Sequence, residues 1–337
     1  MSYPTADISF PGLFGDARFT LSPKLLDIGN GVYWYGVLIA GALLLALWLC
    51  MKRAPRYGLT EDNVIDTVLW AIPLAILGAR AYYVLFYLDQ FRTADGAIDW
   101  AQTYRIWDGG LAIYGAIIAS FLTAYVYCRV KKLPLWAVAD CCVAGLFLGQ
   151  AIGRWGNFFN REAFGGMTEL PWRLRLWLSE NYFIDVHPTF LYECLWNLAG
   201  LALLLLVVDK ARRFDGENTC FYFLWYGIGR FWIEGLRTDS LYLFDLTLFG
   251  ERVRVSQALS LAVVLVAAFI LFRSRHADPA RMLVHRRAAE ATVILPAEGA
   301  EESAAPDEEA ATEETPAECE VSPAESAEAA EAPDAAE

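Results

Sequence analysis

The stretch VYWYGVLIAGALLLALWLCM, residues 32–51, decides the fold class because it contains no charged side chain over 20 residues. A helix rises about 1.5 Å per residue, so this length crosses the hydrocarbon core of a bilayer. Inside lipid a segment must satisfy its own backbone hydrogen bonds, which favours a helix. Six further apolar runs lack the alternation of barrel strands and lie at residues 64–88, 109–128, 135–153, 190–208, 219–236 and 255–272.

The composition is typical of a membrane protein and argues against a soluble enzyme, a disulfide scaffold or a wholly disordered chain. Of the 337 residues, 56% are hydrophobic and 20% are charged, and the mean hydropathy is +0.33. Aromatic residues reach 14%, as expected for a chain that crosses the membrane–water interface many times. The seven cysteines form no CxxC pair and are expected to be small packing residues, neither bridges nor metal ligands.

The formal net charge of −13 arises from the C-terminal tail. Residues 288–337 contain 16 acidic and no basic residues, which leaves 27 basic against 24 acidic residues in the rest of the chain. This tail is rich in Ala, Glu and Pro and buries too little apolar surface to fold. We therefore predict a disordered acidic tail without a catalytic role, preceded by a basic cytoplasmic segment at residues 273–287.

Basic residues in the short loops predict the orientation. They follow the first, third, fifth and seventh runs. With seven spans, all four of these loops lie on the same side of the membrane. The predicted fold is an all-α polytopic membrane protein with seven transmembrane helices over residues 32–272, its N-terminus outside and its C-terminus cytoplasmic. Residues 1–31 would form an external arm. The alternating segment 171–178 predicts a short strand in a small external cap, at about residues 161–189.

Charged side chains within the spans cost about 2.5–3.5 kcal/mol each on insertion scales, so each needs an explanation. In the predicted orientation most of them lie in the outer half of the membrane, where cations outnumber carboxylates. The planar fork of arginine fits a phosphate, which points to an anionic phospholipid. The alternative is that Arg and Glu pair to hold helices together, and Arg80 suits that structural role best. The charged residues at this level are Arg80, Arg154, Glu193, Arg230, Glu234 and Arg237, with Tyr35 and Tyr114 nearby.

The segment GRWGNFFNREAFG, residues 153–165, concentrates polar and glycine residues where the fourth run ends. Glycine allows close backbone approach to a ligand, Arg154 can hold an anion, and Asn157 and Asn160 can donate to phosphate or glycerol oxygens. The segment resembles the signature of the bacterial prolipoprotein diacylglyceryl transferases, GR-x-G/A-N-F-x-N-x-E-x-x-G, at every fixed position. Further matching motifs stand in order at residues 33–36, 107–111, 187–193 and 230–237, and the resemblance covers about residues 30–272.

The resemblance implies a multi-pass enzyme of the bacterial inner membrane. Such enzymes transfer the diacylglyceryl group of phosphatidylglycerol to the lipobox cysteine thiol of a preprolipoprotein, forming a thioether and releasing glycerol 1-phosphate. No metal, organic cofactor or nucleic acid is expected. Arg154 and Arg230 would hold the lipid phosphate and stabilise the departing charge. The resemblance further assigns substrate binding to Tyr35, Asn157, Glu162, Gly165, Glu193, Glu234 and Arg237.

The sequence offers several candidates for the general base. Many relatives have His where this chain has Tyr114, which is our third catalytic candidate, although a tyrosine with a pKa near 10 is a weak base. Glu193 or Glu234 could serve instead, or the arginine field could lower the pKa of the substrate thiol. His187 is a further candidate, but its place before Pro188 at a helix start suits orienting the loop.

A transporter or flippase of an anionic lipid is the main alternative function. It would usually show paired repeats or broken helices in matching halves, and neither is found in the sequence. A retinal protein would need a lysine in its last span, and residues 255–272 contain none. A phosphodiester alcohol transferase would need a repeated-Asp metal motif, which we do not find.

Overall fold

A computed structural model describes residues 6–276, except 16, 29–30, 94, 239–241 and 249–250. Each of the seven predicted apolar runs contains a long helix. The acidic tail and most of the basic segment at 273–287 lie outside the described residues. The helices are α1 (Pro11–Phe14), α2 (Trp34–Arg53), α3 (Glu61–Phe86), α4 (Trp100–Thr103), α5 (Ile113–Lys131), α6 (Leu135–Asn160), α7 (Thr189–Leu203), α8 (Glu217–Leu236) and α9 (Val255–Arg275).

Six of the long helices are long and apolar enough to cross a membrane, namely α2, α3, α5, α6, α7 and α9. Helix α7 reaches this length through a π turn, Leu204–Val208. Helix α8 is the exception, because Arg230 and Glu234 interrupt its apolar sequence, yet it packs against α6, α7 and α9. The helical membrane fold is confirmed, whereas the seventh span stays a prediction.

Helix α6 is the centre of the bundle. Its apolar span is 50% buried within the protein, against 11% for α2, α3 and α9. Helices α2, α7 and α8 pack against α6, while α3 and α5 form a second pair beside them. The signature segment at residues 153–165 begins on this central helix, so its side chains are held by several neighbours at once.

The segment predicted to form the cap, residues 161–189, contributes β5 and β6 to a four-stranded antiparallel sheet in the order β2-β1-β5-β6, and its external location stays a prediction. Two strands of this sheet come from the N-terminal arm, a pairing that the sequence analysis did not predict. Its core packs Ile8 and Leu176 against Phe190 of α7, which ties the cap to the bundle. The strands are β1 (Ala6–Ser9), β2 (Phe19–Leu21), β3 (Lys24–Leu26), β4 (Val32–Tyr33), β5 (Leu174–Ser179), β6 (Tyr182–Val186), β7 (Tyr242–Leu248) and β8 (Glu251–Arg254).

A buried polar network holds the bundle end at which α8 begins. Asp140 of α6 is fully buried and accepts hydrogen bonds from the backbone N–H groups of Gly216 and Thr219, at 2.8 Å each. The carboxylate thereby satisfies donors in the first turn of α8, as an N-cap residue would. Arg212 adds a contact of 3.3 Å. The network therefore fixes where α8 begins, at the end of the helix opposite Arg230.

Candidate active site

Three of the predicted arginines converge on one carboxylate. Arg154 Nε lies 2.5 Å from Glu193 Oε2, and Arg230 Nη1 and Arg237 Nη1 lie 3.3 and 3.8 Å from Glu193 Oε1. Arg230 Nη2 also lies 2.6 Å from Glu234 Oε2. We call these five residues the arginine cluster. With three guanidinium groups and two carboxylates, its formal charge is positive by one.

The arginine cluster forms because α6 and α8 end where α7 begins. Both carboxylates are almost fully buried, but the side chains of Arg154, Arg230 and Arg237 remain 22%, 19% and 14% exposed. The ion pairs agree with the structural alternative, in which Arg and Glu hold helices together. Ion pairing alone does not require an excess of positive charge, nor does it require the arginine side chains to be partly exposed. Both features suit the binding of an anion.

The signature segment orients Arg154 through a chain of hydrogen bonds. Arg161 ends α6 with φ of 52°, so the chain turns back and the Glu162 N–H donates to the Asn157 carbonyl at 3.0 Å. Asn157 Nδ2 then donates to Glu162 Oε1 at 3.0 Å, and Arg154 Nη1 donates to Asn157 Oδ1 at 3.4 Å. Asn160 Nδ2 also donates to Glu162, at 3.3 Å. Direct contact of Asn157 and Glu162 with substrate stays a prediction; their observed contacts position Arg154.

Tyr35 lies against the signature segment, and its contact with substrate stays a prediction. A Cβ added to Gly156 would stand 2.1 Å from Tyr35 Cδ2, so only glycine leaves room for this ring. The neighbouring Trp34 stacks on Phe159 with ring centroids 4.8 Å apart. The start of α2 is therefore packed on the end of α6, and Tyr35 is 37% exposed beside the segment that carries Arg154.

Gly165 joins the signature segment to the cap and to the end of α8. Its N–H donates to the His187 carbonyl at 3.0 Å, and it forms a β-bridge with Arg237. A Cβ at this position would lie 2.7 Å from His187 Cβ. Gly165 thus serves the site through close packing, which places Arg237 beside the segment.

His187 orients the loop before α7. Its Nδ1 lies 3.2 Å from the Tyr192 hydroxyl, and burial lowers the pKa of its ring below the ordinary 6.5, so the ring is neutral at pH 7. Thr189, which the sequence analysis missed, is 1% exposed, and its hydroxyl donates to the Ala163 carbonyl at 2.5 Å. A threonine at a helix start after Pro188 was the signal that could have identified it.

Arg80 has the structural role that the sequence analysis allowed for it. It is 7% exposed and donates to the carbonyls of Gln102, Thr103, Gly109 and Gly110 at 2.6–3.0 Å. These bonds fix the loop before α5. These described hydrogen-bond partners of Arg80 are not members of the arginine cluster.

Tyr114 lies at the start of α5 and is 43% exposed. Its ring packs at 6.4 Å from that of Tyr82 on α3. Among the contacts described for residues 6–276, none joins Tyr114 to the arginine cluster. Its role as a catalytic residue stays a prediction.

A tryptophan pair that the sequence analysis missed sets α7 against α8. Trp196 Nε1 donates to the Trp225 carbonyl at 2.9 Å, and Trp225 Nε1 donates to the Trp196 carbonyl at 2.8 Å. The rings stack with centroids 4.5 Å apart. Each ring fills the space left by a glycine of the other helix, Gly229 and Gly200 respectively. The pair lies close to Glu193 and Arg230 along the chain and fixes their register.

Fold and site together define a multi-pass membrane protein with a cationic site at the helix ends beside the cap. The family model "Prolipoprotein diacylglyceryl transferase" matches residues 23–273, and the chain belongs to this family. Similar proteins named phosphatidylglycerol–prolipoprotein diacylglyceryl transferase occur in Oceanobacillus iheyensis, with 42% identity over 74% of this chain and 87% of the relative, and in Listeria welshimeri, with 42% over 79% and 94%. A third, from Lactiplantibacillus plantarum, is 40% identical over 77% and 91%. The chain is thus a transferase and a multi-pass protein of the bacterial inner membrane.

Proposed function

We propose that this chain transfers the diacylglyceryl group of phosphatidylglycerol to the lipobox cysteine thiol of a preprolipoprotein, the first step of lipoprotein maturation. Family membership and the names of relatives about 40% identical support the reaction. The observation that carries the assignment of the site is the arginine cluster, with its three guanidinium groups around Glu193.

The arginine cluster suits the phosphate of the lipid donor. A phosphodiester carries one negative charge, which balances the formal charge of the cluster. When the thiol sulfur bonds to the glycerol carbon, the carbon–oxygen bond to phosphate breaks and glycerol 1-phosphate leaves with additional negative charge. Guanidinium groups already held in place stabilise this developing charge more than the charge of the bound donor, which lowers the barrier.

Arg154 and Arg230 are the proposed phosphate ligands, and Arg237 completes the positive site. Asn157 and Glu162 hold the guanidinium of Arg154 in place through the hydrogen bonds described above. Tyr35 and Gly165 shape the pocket wall by their packing. The thiol proton goes to a carboxylate of the arginine cluster, Glu193 or Glu234, or to Tyr114 acting as a phenolate.

The proposed topology has seven spans, with the N-terminus outside and the C-terminus cytoplasmic. Helix α8 is then the sixth span, shielded by α6, α7 and α9, which makes its charged residues tolerable. In this orientation the arginine cluster opens towards the outer leaflet. An exported preprolipoprotein would meet it there with its cysteine at the membrane surface.

Reconstitution tests the proposed reaction. Detergent-purified chain, phosphatidylglycerol and a lipobox peptide should give the thioether peptide and glycerol 1-phosphate in equal amounts. A peptide with Ala in place of its cysteine should give neither product. Arg154→Ala should lose the activity, while the matched control Arg129→Ala, at an exposed cation near the end of α5, should retain it. Full activity in Arg154→Ala would remove the phosphate-binding role.

A further inference from the structure

A second site lies at the opposite ends of α7 and α8 from the arginine cluster. A cavity of about 450 Å³ opens there, with walls of Val207, Val208, Phe221, Leu271 and Phe272. Glu217, Arg275 and His276 also line it, at the terminal turns of α8 and α9. We call this cavity the distal groove. Fourteen residues of helix separate Glu193 from Val207, a rise of about 20 Å, so the two sites are separate.

The distal groove is open towards lipid. Its α7 wall is the π turn Leu204–Val208, and such turns widen a helix locally and often occur at functional sites. The apolar side chains that form and flank the groove point outwards, with Val207 55%, Leu206 64%, Phe269 64% and Phe272 69% exposed. In a membrane protein, exposed apolar side chains of this kind face acyl chains.

Positive charge surrounds the mouth of the distal groove. The carboxylate of Glu217 is fully buried and accepts from Arg275 Nε and from the backbone N–H of Arg213, both at 2.6 Å. Glu217 therefore holds Arg275 at the mouth, where the Arg275 side chain stays 42% exposed. The adjoining turns carry two partly buried acids, Asp209 and Asp215, and four exposed cations, Lys210, Arg213, Arg273 and Arg275.

We propose that the distal groove binds one acyl chain of an anionic phospholipid, with the lipid phosphate against Arg275. The apolar walls fit the chain, and the cationic mouth lies where the helices end and a headgroup would be. A guanidinium already oriented by a buried carboxylate is a favourable phosphate ligand. The lipid in this groove is a bound lipid and not the donor, because it lies about 20 Å from the arginine cluster.

Photo-crosslinking with mapping tests this proposal on the full chain in nanodiscs. The probe is phosphatidylglycerol with a diazirine in the part of one acyl chain next to the headgroup, and labelled peptides are identified by mass spectrometry. We expect labelling of the residues that line the distal groove. Val207→Trp fills the groove and should reduce this labelling several-fold. The matched control Leu206→Trp, which changes a neighbouring lipid-facing side chain outside the lining, should retain it.

A second set of variants and probes tests recognition of the lipid headgroup. Arg275→Gln should weaken labelling of the distal groove, and Arg275→Lys, which keeps the charge, should restore part of it. A phosphatidylcholine probe of the same chain length should label the groove less. Equal labelling by both lipids, or unchanged labelling in Val207→Trp, would overturn the proposal.

The distal groove is also separable from the proposed transfer. Arg154→Ala should lower transfer by about 10²–10³-fold and leave labelling of the distal groove intact. Melting temperatures of the variants show which changes follow from loss of the fold. If Arg154→Ala removed both signals at an unchanged melting temperature, the two sites would not be independent and the proposal would be wrong.

Discussion

Single residues decide the chemistry of the site, and Glu193 shows how. Its buried carboxylate contacts Arg154, Arg230 and Arg237, so one side chain holds three cations close together. Without it the three guanidinium groups would repel each other in a medium of low dielectric constant. The sequence identified the members of the arginine cluster from their depth and family motif. It did not give the pairing, which depends on how three helices meet.

Arg154 and Arg80 should separate function from stability. Arg154→Ala removes a proposed phosphate ligand and should lower kcat/KM by about 10²–10³-fold, as for the loss of an electrostatic donor. Arg80→Ala removes the donor shared by four backbone carbonyls of the loop before α5, at about 0.5–1.5 kcal/mol for each hydrogen bond, and should mainly lower the melting temperature. Transfer rates and thermal unfolding of both purified variants check this. The opposite pattern, with Arg154→Ala unstable and Arg80→Ala stable but inactive, would contradict the assignment.

Tyr114→Phe tests the third catalytic candidate. The variant keeps the ring that packs against Tyr82 and removes only the hydroxyl. If that hydroxyl takes part in proton transfer, kcat should fall by about 10²-fold or more, with little change in KM or melting temperature. A variant with the normal kcat would exclude Tyr114 as the base and leave the carboxylates of the arginine cluster as the candidates.

At the scale of the elements, small residues set the distances between helices. Trp196 and Trp225 exchange hydrogen bonds across α7 and α8, and Gly200 and Gly229 make room for their rings. The lengths and positions of the apolar runs in the sequence predicted where these helices lie. It did not predict the tryptophan pair, because contacts between helices follow from three-dimensional packing that one-dimensional spacing does not encode.

Gly200→Ala should disturb this interface. The added Cβ would lie 2.5 Å from Trp225 Cδ1, and overpacking of this kind costs about 1–3 kcal/mol. To relieve this clash, α7 and α8 must move apart, which displaces Glu193 relative to Arg230. Both the melting temperature and kcat should therefore fall. Gly41→Ala is the matched control, since nothing lies within 4 Å of its added Cβ. A stable and fully active Gly200→Ala variant would show that the pair does not set the register of the site.

The stability of the hairpin formed by β5 and β6 should depend on pH through Asp185. Hydrogen bonds from Arg175 and Arg173, against the opposing effect of burial, hold the pKa of Asp185 below its ordinary 3.8. A lowered folded-state pKa means that the stabilisation is complete above the ordinary pKa and is lost as the pH falls through the lowered value. Asp185→Asn should therefore lower the melting temperature at pH 7 and have less effect near pH 3. An equal effect at both pH values would exclude this electrostatic origin.

At the scale of the whole molecule, length and apolar composition predicted a helical membrane protein, and the signature segment predicted its family. The sheet that joins β1 and β2 to β5 and β6 was not predictable, because strands of the N-terminal arm and the cap are far apart in sequence. Hydropathy identifies six spans among the described helices and leaves out α8. The charged residues of α8 lower its hydropathy, although neighbouring helices shield it.

Reporter fusions test the proposed orientation. Alkaline phosphatase fused within residues 161–189 should be active, because the cap would lie outside, and green fluorescent protein fused after residue 276 should fluoresce, because that end would lie in the cytoplasm. Fusions in the loop between α5 and α6 should behave like those after residue 276. A phosphatase-active fusion in that loop would contradict the seven-span orientation.

The central claim is that the arginine cluster holds the phosphate of the lipid donor, and headgroup crosslinking measures this most directly. Phosphatidylglycerol with a photoreactive group on its headgroup glycerol is added to the wild type, Arg154→Ala and Arg230→Ala, and the labelled peptides are mapped. We predict labelling of residues 153–165 and 230–237 in the wild type and its loss in both variants. Labelling that is absent from these segments in the wild type, or unchanged in the variants, would contradict the account.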